Sequence, residues 1–436
     1  MLNFSFEHIE ESEIFDLLTL LVDRSLVLYD ESSGRYRLLE SVRQYSRERL
    51  VGAGERESVF ERHLDHYLAF AAGAELQLKG SEQQVWLDRL EAEHDNLRSA
   101  LLGTGDRQML LAASLWRFWL MRGHVSEGRR RLDLLVGGNK TQRPSLALAA
   151  AHNGAAGLAF IQSEFQAARN LYAKAAALRH ELGDRIGEAG SLCNLATVAQ
   201  AQGDIEFARR QFEHSMPIFQ EEGDDYAVAT NLVCLGTVAY AQGDTISALE
   251  YLNRAIVLNR EIGNRASEAN ALNNLGTVHR ESHDFTAARE TFEAALNINR
   301  EVGYWWEASL NLINLGQCAV DEGDCGAART FLTEAIEKLR PIDARRDMVS
   351  WVEAWASLEV CLGRKLRAAR LTGFVSAHRE SLAVPPNTTL QIDPELTLEA
   401  LMSPECEPGL AREFQFGLAM TLDLVIEFAL LEPCDG

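Results

Sequence analysis

The chain has 436 residues, 47% of them hydrophobic, and its 64 acidic and 42 basic residues give a net charge of −22. A negative field of this size repels nucleic acid and membrane surfaces, so contact with either would have to be local. The acidic start has no signal-peptide pattern and no apolar run reaches membrane length, which predicts a cytoplasmic protein without membrane contact.

Seven cysteines are scattered singly through segments with helical patterns. Cys318 and Cys325 lack the spacing of a metal-binding pair, and the other cysteines are far apart in sequence. We therefore predict reduced thiols, as in a cytosolic protein.

The N-terminal segment predicts a winged-helix-like domain over residues 1–52. Residues 11–22 place five apolar side chains at helical spacing. Two β-prone runs, residues 26–29 and 35–38, follow and are separated by a polar loop typical of a hairpin. A second helix is predicted for residues 40–50.

Residues 53–105 predict a helical connector. Two amphipathic stretches, ESVFERHLDHYLAFAAGAEL and EQQVWLDRLEAEHDNLRSALL, indicate two helices.

A 40-residue period organises the next part of the chain and is clearest between Gly183 and Asp343. A fixed period of this size indicates a stacked array of supersecondary units. The core register holds Leu195, Leu235, Leu275 and Leu315. The turn register holds Gly123, Ser163, Gly203, Gly243, His283, Gly323 and Gly363. A tight-packing register holds Gly128, Ala168, Ala208, Ala248, Ala288, Ala328 and Ala368. We predict seven helical hairpins within residues 106–380.

Each unit is predicted to be a pair of helices, A and B. Leu272 and Leu275 give helix A its core face, and Gly276 allows close approach of a neighbouring helix. Aspartates at one register are predicted to cap helix B: Asp204, Asp244, Asp284 and Asp324. Glycines at a second register are predicted to end helix B in the left-handed conformation: Gly183, Gly223, Gly263 and Gly303. Pro217 is predicted to kink or shorten its helix B.

Residues 381–436 are predicted to form a proline-rich loop and a capping helix. Five of the nine prolines fall between Pro385 and Pro408. One amphipathic helix, about residues 410–431, is predicted to cover the open end of the stack. The fold class is therefore all-α: a helical-hairpin solenoid preceded by a small winged-helix-like domain.

The repeat resembles the tetratricopeptide (TPR) motif, whose small and large positions fall on Leu272, Leu275, Gly276, Ala288, Phe292 and Ala295. It is longer than the usual TPR, as in kinesin light chains and some bacterial regulators. The runs LLTLLVDRSLVLYDESSGRYRLLESVRQYSRERL, WLDRLEAEHDNLRSAL and WRFWLMRGHVSEGRRRL resemble the winged-helix and linking segments of bacterial STAND-type (NB-ARC) signalling ATPases. That resemblance implies that the TPRs act as a sensor and a brake for a nucleotide-binding module.

The chain lacks the phosphate-binding loop of such ATPases. Its nearest string, residues 136–141 (VGGNKT), has Asn139 where the second glycine belongs, and we interpret it as a linker before the second repeat. We therefore predict a non-catalytic arm of the regulator without cofactor, its nucleotide-binding module supplied in trans or on a longer chain. An ATP-hydrolysing enzyme would require the missing loop.

Two histidine pairs invite a metal interpretation, and in both we favour a structural role. His279 and His283 are four residues apart, but His283 occupies the turn register and would not share a helical face with His279. His63 and His66, with Asp65 between them, lack an evident third ligand. We predict no metal site and no catalytic residue.

Asparagines recur in helix A, where they are poor helix formers and therefore suggest a use. In kinesin light chains a similar NNLG string places asparagines against a bound peptide. The resemblance implies a groove that binds a protein or peptide through Asn194, Asn231, Tyr240, Asn274, Asn311 and Asn314. Hydrogen bonding between adjacent repeats is the alternative explanation of the same pattern.

A second function remains open at the N-terminus. Residues 34–50 carry five arginines against two glutamates. In a winged helix such a patch can contact DNA phosphates. The alternative to protein binding is therefore a DNA-binding transcription regulator acting through Arg35, Arg37, Arg43 and Arg47.

Overall fold

A computed structural model describes residues 11–31, 34–78, 82–137, 143–342, 344–379 and 407–431. These residues form 21 α-helices and a two-stranded antiparallel sheet, which confirms the predicted all-α class. The chain divides into two compact units, residues 1–66 and 67–436. Within the described ranges, no helix has both the length and the apolar character needed to cross a membrane.

The first unit has the predicted order of helix, hairpin and helix. Its elements are α1 (Glu11–Asp23), β1 (Val27–Asp30), β2 (Arg35–Leu38), α2 (Glu40–Ala53) and the start of α3 (Arg56–Gln77). Val27 pairs with Leu38 and Asp30 with Arg35, so the strands are in full register. Gly54 ends α2 in the left-handed conformation, with φ of 75°.

The connector differs from the two predicted helices, because its second stretch is divided into α4 (Gln83–Ala92) and α5 (His94–Ala100). Glu93 at the break has φ of −96° and ψ of 4°, outside the helical range. Its carboxylate accepts hydrogen bonds of 2.7 Å from Tyr67 and from Asn96. These contacts hold the bend in place.

Seven helical hairpins follow, as the period predicted. The A helices are α6 (Asp106–Met121), α8 (Leu146–Ile161), α10 (Arg185–Ala201), α12 (Asp225–Ala241), α14 (Arg265–Glu281), α16 (Trp305–Asp321) and α18 (Arg345–Cys361). The B helices are α7 (Val125–Gly137), α9 (Phe165–Glu181), α11 (Ile205–Glu221), α13 (Thr245–Glu261), α15 (Phe285–Glu301), α17 (Cys325–Leu339) and α19 (Lys365–Arg379). A 3₁₀ turn, Arg340–Ile342, follows α17. Part of the predicted linker, residues 138–142, lies outside the described residues.

The turn chemistry of the hairpins is confirmed. Every residue of the predicted turn register has positive φ, including the two that are not glycine, Ser163 at 63° and His283 at 61°. The four predicted aspartates each accept a hydrogen bond from the backbone N–H three residues later. Three further residues cap A helices in the same way: Asp184 caps the N-terminus of α10, Asp224 that of α12 and Asn264 that of α14.

Helices A and B of a repeat pack through the small residue of helix A. A Cβ added to Gly276 would lie 2.7 Å from the ring of Phe292, which is 1% exposed. Ala288 and Leu275 complete this layer of buried side chains. Each buried Leu or Phe stabilises the array by roughly 1.5–3 kcal/mol.

The repeat array curves until its first hairpins contact its last ones. Successive A helices contact each other from α10 to α18, which places them on the inner side of the curve. Across the inner space, the guanidinium of Arg346 lies 5.7 Å from the ring centre of Phe165. Gly123 faces the carbonyl oxygen of Pro341 at the meeting point.

The C-terminal cap consists of two helices, so the single predicted helix is wrong. They are α20 (Pro408–Leu418) and α21 (Leu422–Leu430), and the Thr421 side chain caps the second. Backbones of α19 and α20 approach so closely that a Cβ at Gly373 would overlap the Phe414 carbonyl. The two helices cover the last repeat as predicted; residues 380–406, the predicted loop, lie outside the described residues.

Two further predictions are corrected. Cys325 and Cys361 form a disulfide, so the interpretation of all seven cysteines as reduced thiols is wrong. Stacking places the first residue of α17 beside the last residue of α18, with 6.1 Å between their Cα atoms. Pro217 does not shorten α11, which has the same 17 residues as the neighbouring helices α10 and α12.

Candidate functional site

The inner face of the array, defined here as the surface lined by the A helices, carries polar side chains that bridge successive repeats. Asn194 Nδ2 donates to Asn153 Oδ1 at 3.1 Å, and Asn314 Nδ2 donates to Asn273 Oδ1 at 2.8 Å. Asn274 bonds within its own helix, to the backbone oxygen of Asn270 at 2.9 Å. All six asparagines are half-buried, so hydrogen bonding inside the array accounts for part of the asparagine pattern.

Asn231 and Asn311 correct the predicted groove, because both are buried. Asn231 is 2% exposed and donates to the Phe212 backbone oxygen at 2.8 Å. Asn311 is fully buried, accepting from Asn299 and donating to Asn273. Neither side chain is available to a ligand, and both fix the packing of one repeat on the next.

Tyr240 is half-buried and lies beside Glu281 of the next A helix. Burial and the nearby carboxylate raise the pKa of Tyr240 to about 12. Its phenol therefore stays neutral at physiological pH and donates a hydrogen bond to the carboxylate of Glu281. Contact with a partner through Tyr240, Asn194, Asn274 or Asn314 stays a prediction.

Two acids occupy one register of consecutive A helices, the buried Glu307 on α16 and the half-buried Asp347 on α18. Burial first, and then the charge of Asp347, raise the pKa of Glu307 to about 7. Burial also raises the pKa of Asp347, which accepts a 2.9 Å hydrogen bond from Trp306 Nε1. A carboxyl pair of this kind prefers to share a proton or to accept a cation.

Aromatic and cationic side chains surround the acid pair. Burial raises the pKa of Tyr304, the N-cap residue of α16. The positive charge of Arg117 on α6 lowers the same pKa by a smaller amount. Arg346 is next to Asp347, and burial lowers its pKa. The inner face therefore combines acids, hydrogen-bond donors and rings within one partly dehydrated space.

This chemistry suits binding. A cationic group held 4 Å from a carboxylate at the protein surface is attracted by about 4 kcal/mol. The half-buried ring of Trp306 can provide apolar and cation–π contact for the rest of a ligand. The sequence does contain the signal, since Glu307 and Asp347 are 40 residues apart.

The arginines of the alternative DNA-binding function lie on the hairpin and α2 of the first unit. Arg37 and Arg47 are exposed, whereas Arg35 and Arg43 are half-buried. Arg43 pairs with Glu40 at 3.2 Å. The exposed part of the patch is therefore smaller than the sequence count suggests.

One histidine of each pair contacts an aromatic ring. His283 stacks edge-on against Phe285 in its turn, and His63 packs against Phe60. A different group is not visible in the sequence, because His124 meets Glu91 and His94 only in the folded chain. Glu91, His94 and His124 place a possible ligand atom each within 4.8 Å of one another.

Known proteins resemble parts of this chain. The family model for the tetratricopeptide repeat matches residues 147–221 and 226–301. Proteins of Mycobacterium bovis and Mycobacterium tuberculosis, classed by name as HTH-type transcriptional regulators, are 42% identical over 122 residues. The match covers 26% of this chain and 14% of each relative, so the chain spans a small part of their length.

Two solved structures of other proteins align with parts of this chain. A Rap protein complexed with Competence and Sporulation Factor aligns with a TM-score of 0.52 and 15% identity, over 74% of this chain and 93% of that one. NprR in complex with its cognate peptide NprX aligns with a TM-score of 0.49 and 14% identity, over 63% and 78%. With the seven hairpins and the family match, the first of these shows that the array has the fold of a TPR-like helical solenoid.

Proposed function

We propose that the repeat array is the sensor arm of a signal-transduction or transcriptional regulator and binds a peptide or an extended protein segment on its inner face. The observation that carries this proposal is the acid pair of the inner face: the buried Glu307 and the half-buried Asp347, which accepts a 2.9 Å hydrogen bond from Trp306 Nε1. A basic group of the ligand, an amine or a guanidinium, is its natural counter-charge. The net charge of −22 favours the approach of a cationic peptide.

A solved structure of similar fold supports the same proposal. The Rap structure, whose fold this array shares, is a complex with Competence and Sporulation Factor. The fold alone does not fix a ligand. The acid pair provides the specific chemistry that the fold alone does not, because it can bind a basic group of the ligand.

Signal transmission would follow from the closed curve of the array. A ligand that binds better to one curvature than to another shifts the population toward that curvature. Because the first hairpins contact the sixth and seventh, such a shift would alter contacts at both ends of the array at once. This step provides the link from ligand to regulator.

Panning a random peptide library on the full chain tests the ligand class. We expect the wild-type chain to enrich peptides with Lys or Arg, and the Glu307→Gln/Asp347→Asn variant to lose that enrichment. Glu293→Gln, an exposed acid on the B helix α15, is the matched control and should bind like the wild type. Equal enrichment by the double variant would reject the inner-face site.

The surface of the first unit supports a place in a larger regulator. Twelve large apolar side chains between Ile14 and Val51 are more than a third exposed, including Phe15 at 64% and Tyr45 at 61%. An apolar surface of this kind usually marks an interaction site. We propose that it contacts a nucleotide-binding module of the STAND type, and Phe15→Ser/Tyr45→Ser should then weaken that contact without changing peptide binding.

DNA binding through the exposed arginines of the first unit is the second candidate, favoured by the names of the mycobacterial relatives. If it holds, the full chain should shift a DNA duplex at low salt and lose the shift as salt rises. Arg37→Glu/Arg47→Glu should abolish the shift. Failure to shift any duplex at low salt would eliminate this candidate.

A further inference from the structure

Four side chains of two short sequence motifs meet between the connector and the first hairpin. Glu91 and His94 flank the break between α4 and α5, in the order E-x-x-H. His124 and Glu127 lie at the start of α7, in the order H-x-x-E. Because Glu93 interrupts the helix, His94 is placed at the start of α5 and faces the loop that carries His124.

The side chains are close enough to share one ion. His124 Nε2 lies 3.1 and 3.2 Å from the two carboxylate oxygens of Glu91. His94 Nδ1 lies 4.0 Å from Glu91 Oε1, and the two imidazole rings are 4.3 Å apart at their centres. Two ligands bound to Zn²⁺ at tetrahedral angles are separated by about 3.3 Å, so small side-chain rotations suffice.

We propose that Glu91, His94 and His124 bind a divalent transition-metal ion of the Zn²⁺ type. Two imidazoles and one carboxylate are a donor set that Zn²⁺ takes in proteins. The side chains of Glu91 and His124 are 43% and 27% exposed, so water can reach the fourth position. His94 is 7% exposed and packs edge-on against Phe118, which fixes the orientation of its ring.

Glu127 supplies the outer support that histidine ligands of metals require. His94 Nε2 is buried, and its nearest carboxylate oxygen, Glu127 Oε1, is 3.3 Å away without the geometry of a hydrogen bond. The rotation that brings Nδ1 onto the ion would let Nε2–H donate to this carboxylate, the usual outer-shell arrangement. Arg98 holds Glu127 through Nε at 2.7 Å and through Nη2.

The ion would join two parts of the chain. Glu91 and His94 belong to the connector, and His124 belongs to the first hairpin of the array. An ion that binds the folded chain and not the unfolded chain would stabilise this junction. The site is separate from the acid pair of the inner face, so it stands or falls independently of the proposed peptide binding.

Calorimetric titration of the chelator-treated full chain with Zn²⁺, with reductant present, tests the site. We expect one equivalent to bind to the wild type and to raise its melting temperature. Glu91→Gln and His124→Ala should each weaken that binding at least about tenfold. His180→Ala is the matched control, since His180 forms a pair with Glu188 at 3.1 Å and should leave the affinity for Zn²⁺ unchanged.

Substitution by Co²⁺ separates this site from adventitious binding. A tetrahedral Co²⁺ absorption spectrum without a thiolate charge-transfer band, lost in His124→Ala, would support the proposal. A thiolate band would assign the ion to cysteines and overturn it. The proposal also fails if the wild type binds no Zn²⁺, or if both variants, shown to be folded by circular dichroism, bind as the wild type does.

Discussion

Gly276 lies where helix A of the fifth repeat packs against the ring of Phe292. Adding a single methyl group there tests how closely helices A and B pack. The added methyl group of Gly276→Ala would lie 2.7 Å from the ring, whose burial leaves it little room to move. We expect the melting temperature to fall and the free energy of unfolding to decrease by about 1–3 kcal/mol.

Gly190 is the matched control, because it also lies inside an A helix but has no atom within 4 Å of an added Cβ. Gly190→Ala should stabilise the chain by roughly 0.5–1 kcal/mol. Thermal unfolding of both variants should therefore show shifts of opposite sign. Shifts of the same sign would contradict the close packing at Gly276.

Glu307 makes stability depend on pH. Its pKa is about 7 in the folded chain and near 4.5 when exposed, so the folded chain binds the proton more tightly between these values. The free energy of unfolding therefore falls as pH rises through this window, and the loss is complete above pH 7. Glu307→Gln removes the charge and keeps an amide that can hydrogen-bond.

At pH 8 we expect Glu307→Gln to be more stable than the wild type, by up to about 3 kcal/mol. At pH 4, where the wild-type carboxyl is protonated in both states, the difference should nearly vanish. Denaturant unfolding at the two pH values measures this. Glu293→Gln, on an exposed side chain, should give the same small change at both.

Single residues were predictable where the register fixes the backbone, and not where the partner lies in another repeat. His283 at a turn position follows from six other members of its register. Asn231 and Asn311 carry the same amide as Asn194, but only the stacked repeats decide which side chains are buried. Glu307 and Asp347 differ from the other residues of their register, so periodicity alone did not single them out.

At the scale of elements, helix number and caps followed from the sequence, and helix breaks did not. Glu93 has no glycine or proline beside it, and its bend depends on contacts with Tyr67 and Asn96. The gap between α20 and α21, likewise, has only Thr421 as a local cap signal. Tertiary contacts overrode helical propensity at both places.

The disulfide between α17 and α18 gives a prediction about these two elements. It closes a loop between residues 36 apart, for which chain entropy gives a stabilisation of about 4 kcal/mol. Cys325→Ser/Cys361→Ser should melt at a lower temperature than the oxidised wild type. Reductant should lower the melting temperature of the wild type to that of the double variant. The double variant should not respond to reductant.

Cys193→Ala serves as the control, because Cys193 is a free cysteine. This variant should keep the full response to reductant. If reductant leaves the melting temperature of the wild type unchanged, the disulfide does not contribute as the structure indicates.

At the scale of the second unit, the number of repeats was predictable from the period, but the closed curve was not. The period counts hairpins and leaves the rotation between them undefined, because that rotation depends on side-chain volumes at each interface. Closure brings Phe165 of the second repeat to Arg346 of the seventh. Burial on the inner face raises the pKa values of Glu307 and Asp347.

Gly123 and Gly203 allow the closing contact to be tested with one matched pair. Both are turn glycines with positive φ, 77° and 86°, so alanine strains the backbone at each by a similar amount. Only Gly123 has a neighbour across the closure, since its added Cβ would lie 3.0 Å from the carbonyl oxygen of Pro341. Gly203 has no atom within 4 Å.

We therefore expect Gly123→Ala to lower the melting temperature more than Gly203→Ala does. It should also increase the radius of gyration measured by small-angle X-ray scattering, because the ends of the array are pushed apart. Hydrogen exchange should become faster in α6 and α18, whereas Gly203→Ala should affect exchange only near its own turn. Equal effects of the two variants would mean that the closing contact contributes nothing to stability, and that ligand-induced changes in curvature do not pass through it.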